Sequence, residues 1–241
     1  MIDCAEKEVT VIDRTESAKS VVEIIKLSES PMSAVGIEAF AEGSAEALPE
    51  KPLKIEFIGD SITCGYGVDD EDENHQFTTA TEDVTKAYAY KTAKALDAEY
   101  SMFSASGYGI VSGYTEGDEP ISEQTIPQFY CSYGFSRGNF AGTAPQDIPW
   151  DFSKYIPQII VINLGTNDDS YCRDHKDRQA VFSKLYADFL AVVREKNPQA
   201  YILCTVGIMG ERIFPAVEEG IKIYLCLLYT SPSPRDRSVS R

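Results

Sequence analysis

The sequence is poor in the residues that build metal and disulfide sites. It contains only two histidines, His75 and His175, and none of its six cysteines form a C-x-x-C pair. Ligand spacing typical of a zinc site is therefore missing. A chain of 241 residues with 43% hydrophobic content can form a sizeable core without a disulfide framework. We expect no metal, no cofactor and no disulfide scaffold.

Basic residues are also few, and long apolar runs are absent. Lys and Arg number 22 against 38 Asp and Glu, which gives a net charge of −16. Nucleic acids and anionic membrane surfaces attract basic proteins, so we expect neither as a partner. No run reaches the ~18 apolar residues of a transmembrane helix. Residues 1–8 lack the basic and apolar regions of a signal peptide, which leaves the compartment open.

The stretch KIEFIGDSITCGYG, residues 54–67, organises the rest of the chain. It begins as a short apolar run rich in β-branched and aromatic residues, which predicts a buried strand. It then breaks into Gly59-Asp60-Ser61. A small polar residue just past the carboxyl end of a buried strand stands where open α/β sheets place their chemistry. Ser61 is therefore a candidate nucleophile, although Gly-Asp-Ser also occurs in ordinary turns.

Two further segments repeat the same arrangement of a strand followed by small polar residues. Ser104-Ala105-Ser106-Gly107 follows a predicted strand at 100–104, and a nearly all-apolar strand at 159–164 leads into Gly165-Thr166-Asn167-Asp168. Helical periodicity occupies residues 84–98, 177–195 and 214–224, and a further strand is predicted at 201–206. This alternation of strands and helices predicts an α/β domain with a parallel sheet and right-handed crossovers.

Taken together, the three segments resemble the first three blocks of the SGNH (GDSL-type) hydrolases. The longer matches, KIEFIGDSITCGYG and VINLGTND, look most like carbohydrate esterase family 2, whose members deacetylate acetylated plant sugars. The resemblance implies a flavodoxin-like three-layer α/β sandwich and an acyl-enzyme mechanism. It makes Ser61 the nucleophile and assigns oxyanion donation to the Ser61 N–H, the Gly107 N–H and the Asn167 amide. It also implies a small or polymeric acetylated carbohydrate as substrate, and we expect a monomer.

One departure from the family pattern concerns the general base. The last block of the family, an Asp-x-x-His near the C-terminus, has no match, and His175 follows Asn167 too soon to supply it. We therefore expect an esterase fold whose base histidine is missing from this chain. The alternative is a non-catalytic sugar-binding or scaffold protein on the same fold. Cys64 is a second conceivable nucleophile, but no basic neighbour is visible to lower its pKa.

Residues 113–150 have no periodicity and are rich in aromatic side chains. Long irregular loops in compact domains are often functional, and aromatic faces stack well on sugars. Trp150 and Tyr133 are the candidate stacking residues, and Asp168 is a further candidate for substrate binding. The alternative is that these rings pack the loop onto the body of the domain. His75 follows an acidic run and is expected at the surface.

Three domains are expected. Residues 1–50 contain strand-like stretches at 9–12, 20–27 and 33–40, which predict a partial β-sandwich (jelly-roll) or a small appended β-meander. Residues 53–224 form the hydrolase domain, lacking its last αβ unit and the histidine block. Residues 225–241 turn Ser-, Pro- and Arg-rich. This tail resembles translated sequencing adapter joined to a truncated frame, and the alternative is a genuine disordered tail.

Overall fold

The computed structural model describes residues 21–32, 46–72, 74–136, 138–139 and 142–230. Four strands form one sheet, namely β1 (Lys54–Gly59), β2 (Glu99–Ser104), β3 (Ile159–Asn163) and β4 (Tyr201–Thr205). The helices are α1 (Ser61–Cys64), α2 (Tyr88–Ala95), α3 (Thr166–Cys172), α4 (Lys176–Lys196) and α5 (Phe214–Thr230). Short 3₁₀ turns occupy Thr79–Thr81, Val84–Lys86, Ile126–Gln128, Pro145–Asp147 and Phe152–Lys154.

The sheet is parallel throughout, in the order β2-β1-β3-β4. The last residue of β1, Gly59, pairs with Ser104 at the end of β2 and with Asn163 at the end of β3. The carboxyl ends of these three strands are therefore level. The residues that follow them emerge at one edge of the sheet, as the repeated motif predicts.

Helices cover the sheet on two sides, which confirms the three-layer α/β architecture. Ile55 and Phe57 of β1 pack against Ala89 and Ala93 of α2. The alternating residue Ile58 joins the larger core on the other face, which α4 and α5 complete. The helix predicted over 84–98 is shorter than expected, because its first turn is 3₁₀ and α2 begins only at Tyr88.

Strand β4 lies at the edge of the sheet within the described residues. Ile202 and Cys204 pack against the larger core. Tyr201 and Leu203 alternate to the opposite face, where 79% and 57% of their surface is exposed. An edge strand with exposed apolar side chains is a site at which chains associate.

The strand predicted at 20–27 is not formed within its described part. Residues 21–27 have no regular secondary structure. They form no ladder with another strand; the Leu27 carbonyl instead accepts a hydrogen bond from the Val84 N–H of the hydrolase domain at 3.1 Å. The other two predicted strands, at 9–12 and 33–40, lie outside the described residues. The jelly-roll interpretation stays a prediction.

Helix α5 extends past the boundary expected at residue 224. It continues to Thr230 because Leu225, Leu227 and Leu228 prolong the helix-forming run beyond the amphipathic part. Residues 231–241 lie outside the described part of the chain. No helix among the described residues combines the length and apolarity needed to cross a bilayer.

Candidate active site

Ser61 lies at the first turn after the central strand. Between Gly59 and α1, Asp60 takes an extended backbone (φ −116°, ψ −150°). The Asp60 side chain caps α1, because its Oδ1 accepts a hydrogen bond from the Ile62 N–H at 3.0 Å. The cap fixes the backbone on both sides of Ser61, whose side chain stays partly exposed. The structure thus places the predicted nucleophile at the ligand-binding edge of the sheet.

Gly107 lies in the loop that follows β2. Its φ of +81° is a left-handed conformation that a side chain would strain. The Gly107 carbonyl accepts a hydrogen bond from the Tyr114 N–H at 2.8 Å, which closes the loop behind it. Among the described residues, neither the Ser61 N–H nor the Gly107 N–H donates to another backbone group. Both N–H groups are therefore available as donors.

The Asn167 side chain joins the segments that follow β1 and β2. It stands in the first turn of α3 and is only 6% exposed. Its Nδ2 donates to the Tyr108 carbonyl at 2.7 Å and, in a longer contact of 3.4 Å, to Asp60 Oδ2. The short bond fixes the amide against the Gly107 loop, and the long contact brings it beside the residue that precedes Ser61. A bond of 3.4 Å is weak and is readily exchanged for a better acceptor.

Asp168 anchors the same loop from beneath. The residue is 0% exposed, and its Oδ1 accepts hydrogen bonds from the backbone N–H groups of Ile110, Val111 and Ser112 at 3.0, 2.6 and 3.1 Å. Burial raises the pKa of Asp168 to about 6, although these bonds favour the ionised form. A carboxylate so enclosed has no surface to offer a sugar. The expectation that Asp168 binds substrate does not fit its position.

Asp60 is a second buried acid beneath the candidate nucleophile. Burial above all, together with the negative charge of Asp168, raises the pKa of Asp60 to about 7, against the bond from the Ile62 N–H. Asp60 is 0% exposed. The buried acid next to Ser61 therefore holds its proton more tightly than an exposed aspartate does.

Tyr133 and Trp150 form an aromatic pair in the long loop. Two short segments pair through the Tyr133 N–H to the Ile148 carbonyl and the Trp150 N–H to the Cys131 carbonyl, each at 3.0 Å. The rings meet edge to face with centroids 5.2 Å apart. Tyr133 is 47% exposed, and it borders a cavity of about 90 Å³. Ala105 and Tyr108, from the loop that carries Gly107, line the same cavity.

The histidines do not reach the nucleophile through a hydrogen bond. His75 Nδ1 bonds Asp70 Oδ1 at 2.8 Å, and the His75 side chain is 63% exposed, as expected for a surface residue. His175 is the N-cap residue of α4. Within the described part of the chain, no side chain is hydrogen-bonded to the Ser61 hydroxyl.

Cys64 has the opposite environment to an activated thiol. It is 3% exposed, and burial followed by the nearby Glu29 carboxylate raises the pKa of Cys64 well above its usual value. The thiolate is the reactive form of cysteine, and this environment suppresses it. The structure disfavours Cys64 as a nucleophile.

Sequence reasoning missed three buried acids around the site. Asp60 carried a signal, because an acidic residue just before a helix start is a common N-cap. Glu29 and Glu82 carried none: they lie in irregular stretches far apart in the sequence, and only the fold brings them together. The Glu29 carboxylate nevertheless contacts the segments that hold Ser61 and Gly107, and the Glu82 carboxylate accepts a hydrogen bond from the Glu29 N–H.

The model of the GDSL-like lipase/acylhydrolase family matches residues 57–236. A cellulase/esterase, CelE, from Acetivibrio thermocellus is 37% identical over 187 residues, which cover 76% of this chain and 21% of that protein. An acetylxylan esterase/glucomannan deacetylase from Cellvibrio japonicus is 31% identical over 212 residues, or 86% of this chain and 54% of that protein. The chain thus spans about half or less of the length of these relatives.

Solved structures agree with this match. An acetyl xylan esterase, Est2A, from Butyrivibrio proteoclasticus superposes with a TM-score of 0.69 at 26% identity, over 77% of this chain and 55% of that one. A family two carbohydrate esterase from Clostridium thermocellum, solved in complex with cellohexaose, gives a TM-score of 0.59 at 31% identity, over 78% and 54% of the two chains. With this fold and the family match over residues 57–236, the chain belongs to the GDSL-like lipase/acylhydrolase family, and its relatives include carbohydrate esterases.

Proposed function

We propose that this chain comes from an esterase for O-acetylated carbohydrates that acts through a Ser61 acyl-enzyme, and that the family's general-base histidine is missing from this chain. One observation carries the proposal. The Asn167 amide contacts both Asp60, which precedes Ser61, and Tyr108, which follows Gly107. The three segments that supply a nucleophile and oxyanion donors therefore converge on one point at the sheet edge.

The chemistry follows from the donors gathered there. The Ser61 hydroxyl attacks the acetyl carbonyl carbon, and the carbonyl oxygen becomes an oxyanion. The Ser61 N–H, the Gly107 N–H and the Asn167 Nδ2 donate to that oxygen, each worth roughly 10²–10³ in rate. Collapse of the intermediate releases the sugar alcohol with a proton and leaves acetyl-Ser61, which water then hydrolyses.

A serine hydroxyl needs a base, and none contacts Ser61 among the described residues. Loss of a triad member still leaves roughly 10³–10⁴ over water from the oxyanion hole and binding. We therefore expect slow but measurable hydrolysis of an activated ester such as p-nitrophenyl acetate. The proposal also requires that neither His75 nor His175 supplies the base.

The first test measures p-nitrophenyl acetate turnover of the full chain. The Ser61→Ala variant should lose the enzymatic rate. Ser153→Ala should keep it, because Ser153 is exposed and, among the described residues, its hydrogen bonds go to Asp151. Mass spectrometry should detect an acetyl group on Ser61 of the unmodified protein. Equal rates in Ser61→Ala and the unmodified protein would refute the nucleophile assignment.

The second test supplies the missing base. Free imidazole should raise the Ser61-dependent rate more than it raises the background rate of Ser61→Ala, because it can take the serine proton. Replacing His75 or His175 by Gln should leave the rate unchanged. A loss of rate in either histidine variant would identify a base and overturn that part of the proposal.

The substrate class is proposed from the relatives and from the aromatic pair. The relatives named above include acetylxylan and glucomannan deacetylases, and the exposed Tyr133 ring offers a face to a sugar. Acetate release from acetylated xylan and acetylated glucomannan, compared with a simple alkyl acetate, tests this class. Equal rates on all three esters would argue against a carbohydrate subsite.

A second candidate function is glucan binding without catalysis. It is favoured by the Tyr133–Trp150 pair and by the finding that no base contacts Ser61 in the part of the chain that the structure describes. Calorimetry with cellohexaose should then show binding that Trp150→Ala weakens, while Ser61→Ala leaves it unchanged. Cellohexaose binding without Ser61-dependent turnover, even with imidazole present, would select this function over the esterase.

A further inference from the structure

A cluster of buried polar side chains lies behind the loop that carries Gly107. Glu29, in the segment 21–32, is 6% exposed, and Glu82 is 3% exposed. Glu29 Oε2 accepts a hydrogen bond from the Ser106 N–H at 2.6 Å and lies 3.8 Å from the Cys64 sulfur of α1. The Glu29 N–H donates to Glu82 Oε2 at 3.2 Å. One carboxylate thus links three parts of the chain, and one of them is the residue just before Gly107.

The two glutamates are close enough to affect each other's charge. One carboxylate oxygen each of Glu29 and Glu82 and the Cys64 sulfur lie within 4.8 Å of one another. Glu29 Oε1 and Glu82 Oε1 are buried and have no hydrogen-bond partner among the described residues. The Lys26 ammonium donates to the Ser28 carbonyl. Two like charges at this distance repel strongly, and a carboxyl pair relieves the repulsion by retaining one proton.

We propose that Glu29 is a positioning residue for the esterase site. Its carboxylate accepts the hydrogen bond from the Ser106 N–H and thereby places the neighbouring Gly107 N–H. Glu82 retains a proton, so the pair of glutamates carries a single negative charge. The hold on the loop stands on geometry alone, and its effect on catalysis rests on the proposed function. The loop is then fastened at both ends by buried carboxylates, by Glu29 at Ser106 and by Asp168 at residues 110–112.

Four titratable groups face Glu29. Burial, and then the Glu29 charge, raise the pKa of Glu82 to about 7. Burial raises the pKa of Tyr66 and of Cys64, so both stay neutral. Burial lowers the pKa of Lys26, against the pull of the two glutamates. As the pH rises through about 7, Glu82 is the group that gains charge, and repulsion between the glutamates then weakens the hold on Ser106.

The experiment follows the Ser106 amide proton in the full chain. Hydrogen exchange measured by NMR, expressed as a protection factor, should fall at least about tenfold in Glu29→Ala, because the acceptor is lost. Glu29→Gln should keep most of the protection, since its amide oxygen can accept the same bond. Glu23→Gln is the matched control: Glu23 lies in the same segment but pairs at the surface with Lys94.

Two further readouts separate positioning from simple stabilisation. Protection of Ser106 should drop between about pH 6 and about pH 8 in the unmodified protein, and this drop should vanish in Glu82→Gln. For p-nitrophenyl acetate, Glu29→Ala should lower kcat by roughly 10–100-fold with little change in KM, as expected for a misplaced oxyanion donor. Glu29→Gln should restore most of kcat.

The possible negative results distinguish the positioning role of Glu29, the proposed esterase function and the proton retained by Glu82. Unchanged Ser106 protection in Glu29→Ala, with only a lower unfolding free energy, would overturn the positioning role. Loss of protection without Ser61-dependent turnover in any variant would refute the proposed function and still support the hold on the loop. A rise in Tm on adding Zn²⁺ that Glu82→Gln abolishes would show a metal in place of the retained proton and overturn that half of the proposal.

Discussion

Glu56 provides a test of the buried electrostatics that needs no substrate. It stands in the central strand β1, is 7% exposed, and accepts a hydrogen bond from the Tyr130 hydroxyl at 2.9 Å. The same hydroxyl accepts from Asn197 Nδ2 at 2.9 Å, so the acid belongs to a chain that reaches the end of α4. Burial raises the pKa of Glu56 from 4.5 to about 7, against the bond from Tyr130.

The sign of the pH effect follows from this raised pKa. Below about pH 4.5 both the folded and the unfolded chain carry the proton, and burial of Glu56 has no electrostatic cost. Between 4.5 and about 7 the unfolded chain loses the proton first, so the free energy of unfolding falls as the pH rises. The difference of about 2.5 pH units corresponds to roughly 3 kcal/mol at 1.36 kcal/mol per unit.

Glu56→Gln removes this titration. The difference in unfolding free energy between the variant and the unmodified protein should therefore shift in favour of the variant as the pH rises. The Gln oxygen can still accept from Tyr130, but its amide N–H groups gain no partner, a cost of about 1–3 kcal/mol. At about pH 5 the variant should be less stable than the unmodified protein. By about pH 8 the difference should have moved by roughly 3 kcal/mol in favour of Gln.

Urea unfolding across this pH range measures the difference directly. At each pH, the unfolding free energy of the unmodified protein is subtracted from that of the variant. The contributions of the other buried acids then cancel, provided that their titration does not couple to that of Glu56. Glu218→Gln, which alters an exposed glutamate on α5, is the control for removing one carboxyl group from the surface. A pH-independent difference for Glu56→Gln would refute the reasoning.

Three further perturbations test the loop and the sheet edge. In the unmodified protein the Ile110 N–H donates to Asp168 Oδ2 at 2.9 Å, and Asp168→Asn would place an amide N–H against this donor. We expect the free energy of unfolding in urea to fall by about 2 kcal/mol and Ser61-dependent turnover to fall as well. Unchanged values would contradict the role of Asp168 in anchoring the loop. Gly109→Ala would place a Cβ 2.2 Å from the Ser112 carbonyl oxygen, so Tm should fall sharply, whereas Gly117→Ala in the same region should change it little. Leu203→Lys should reduce concentration-dependent light scattering, and unchanged scattering would show that β4 is not the associating edge.

The sheet could be predicted from the sequence because its signals are local. Short stretches rich in Ile, Val and Phe mark β1 (KIEFIG) and β3 (IIVIN), and the small polar residues after them mark the ends of the strands. The long helix α4 was predicted within one residue at each end, because its 3- and 4-residue periodicity is strong and Asn197-Pro198 ends it. Because β1 and β3 end side by side in the sheet, the residues that follow them, Ser61 and Asn167, were expected at the same edge.

The features that the sequence did not predict depend on contacts between residues far apart in the chain. Residues 21–27 have strand-like side chains, but a strand forms only with a partner, and the Leu27 carbonyl bonds the Val84 N–H instead. The sequence made Asp168 a candidate for substrate binding, and the structure buries it. Neighbours on a helix point in different directions, and Asp168 points into the protein, where three backbone N–H groups meet it.

The way the loop is anchored also bears on how a missing base could be replaced. Two of the three proposed oxyanion donors are backbone N–H groups, which cannot be replaced by changing a side chain and depend entirely on where the chain is held. Buried carboxylates that accept several backbone N–H bonds are strong local restraints, because each bond to a charged acceptor is worth about 1.5–3 kcal/mol. The loop should therefore keep its geometry whether or not a base is present. Base and oxyanion hole are then separable: imidazole should raise the Ser61-dependent rates of the unmodified chain and of Glu29→Ala by a similar factor. Glu29→Ala should stay roughly 10–100-fold slower at every imidazole concentration, because the added base does not put the Gly107 N–H back in place. A much smaller response to imidazole in Glu29→Ala would contradict this separation.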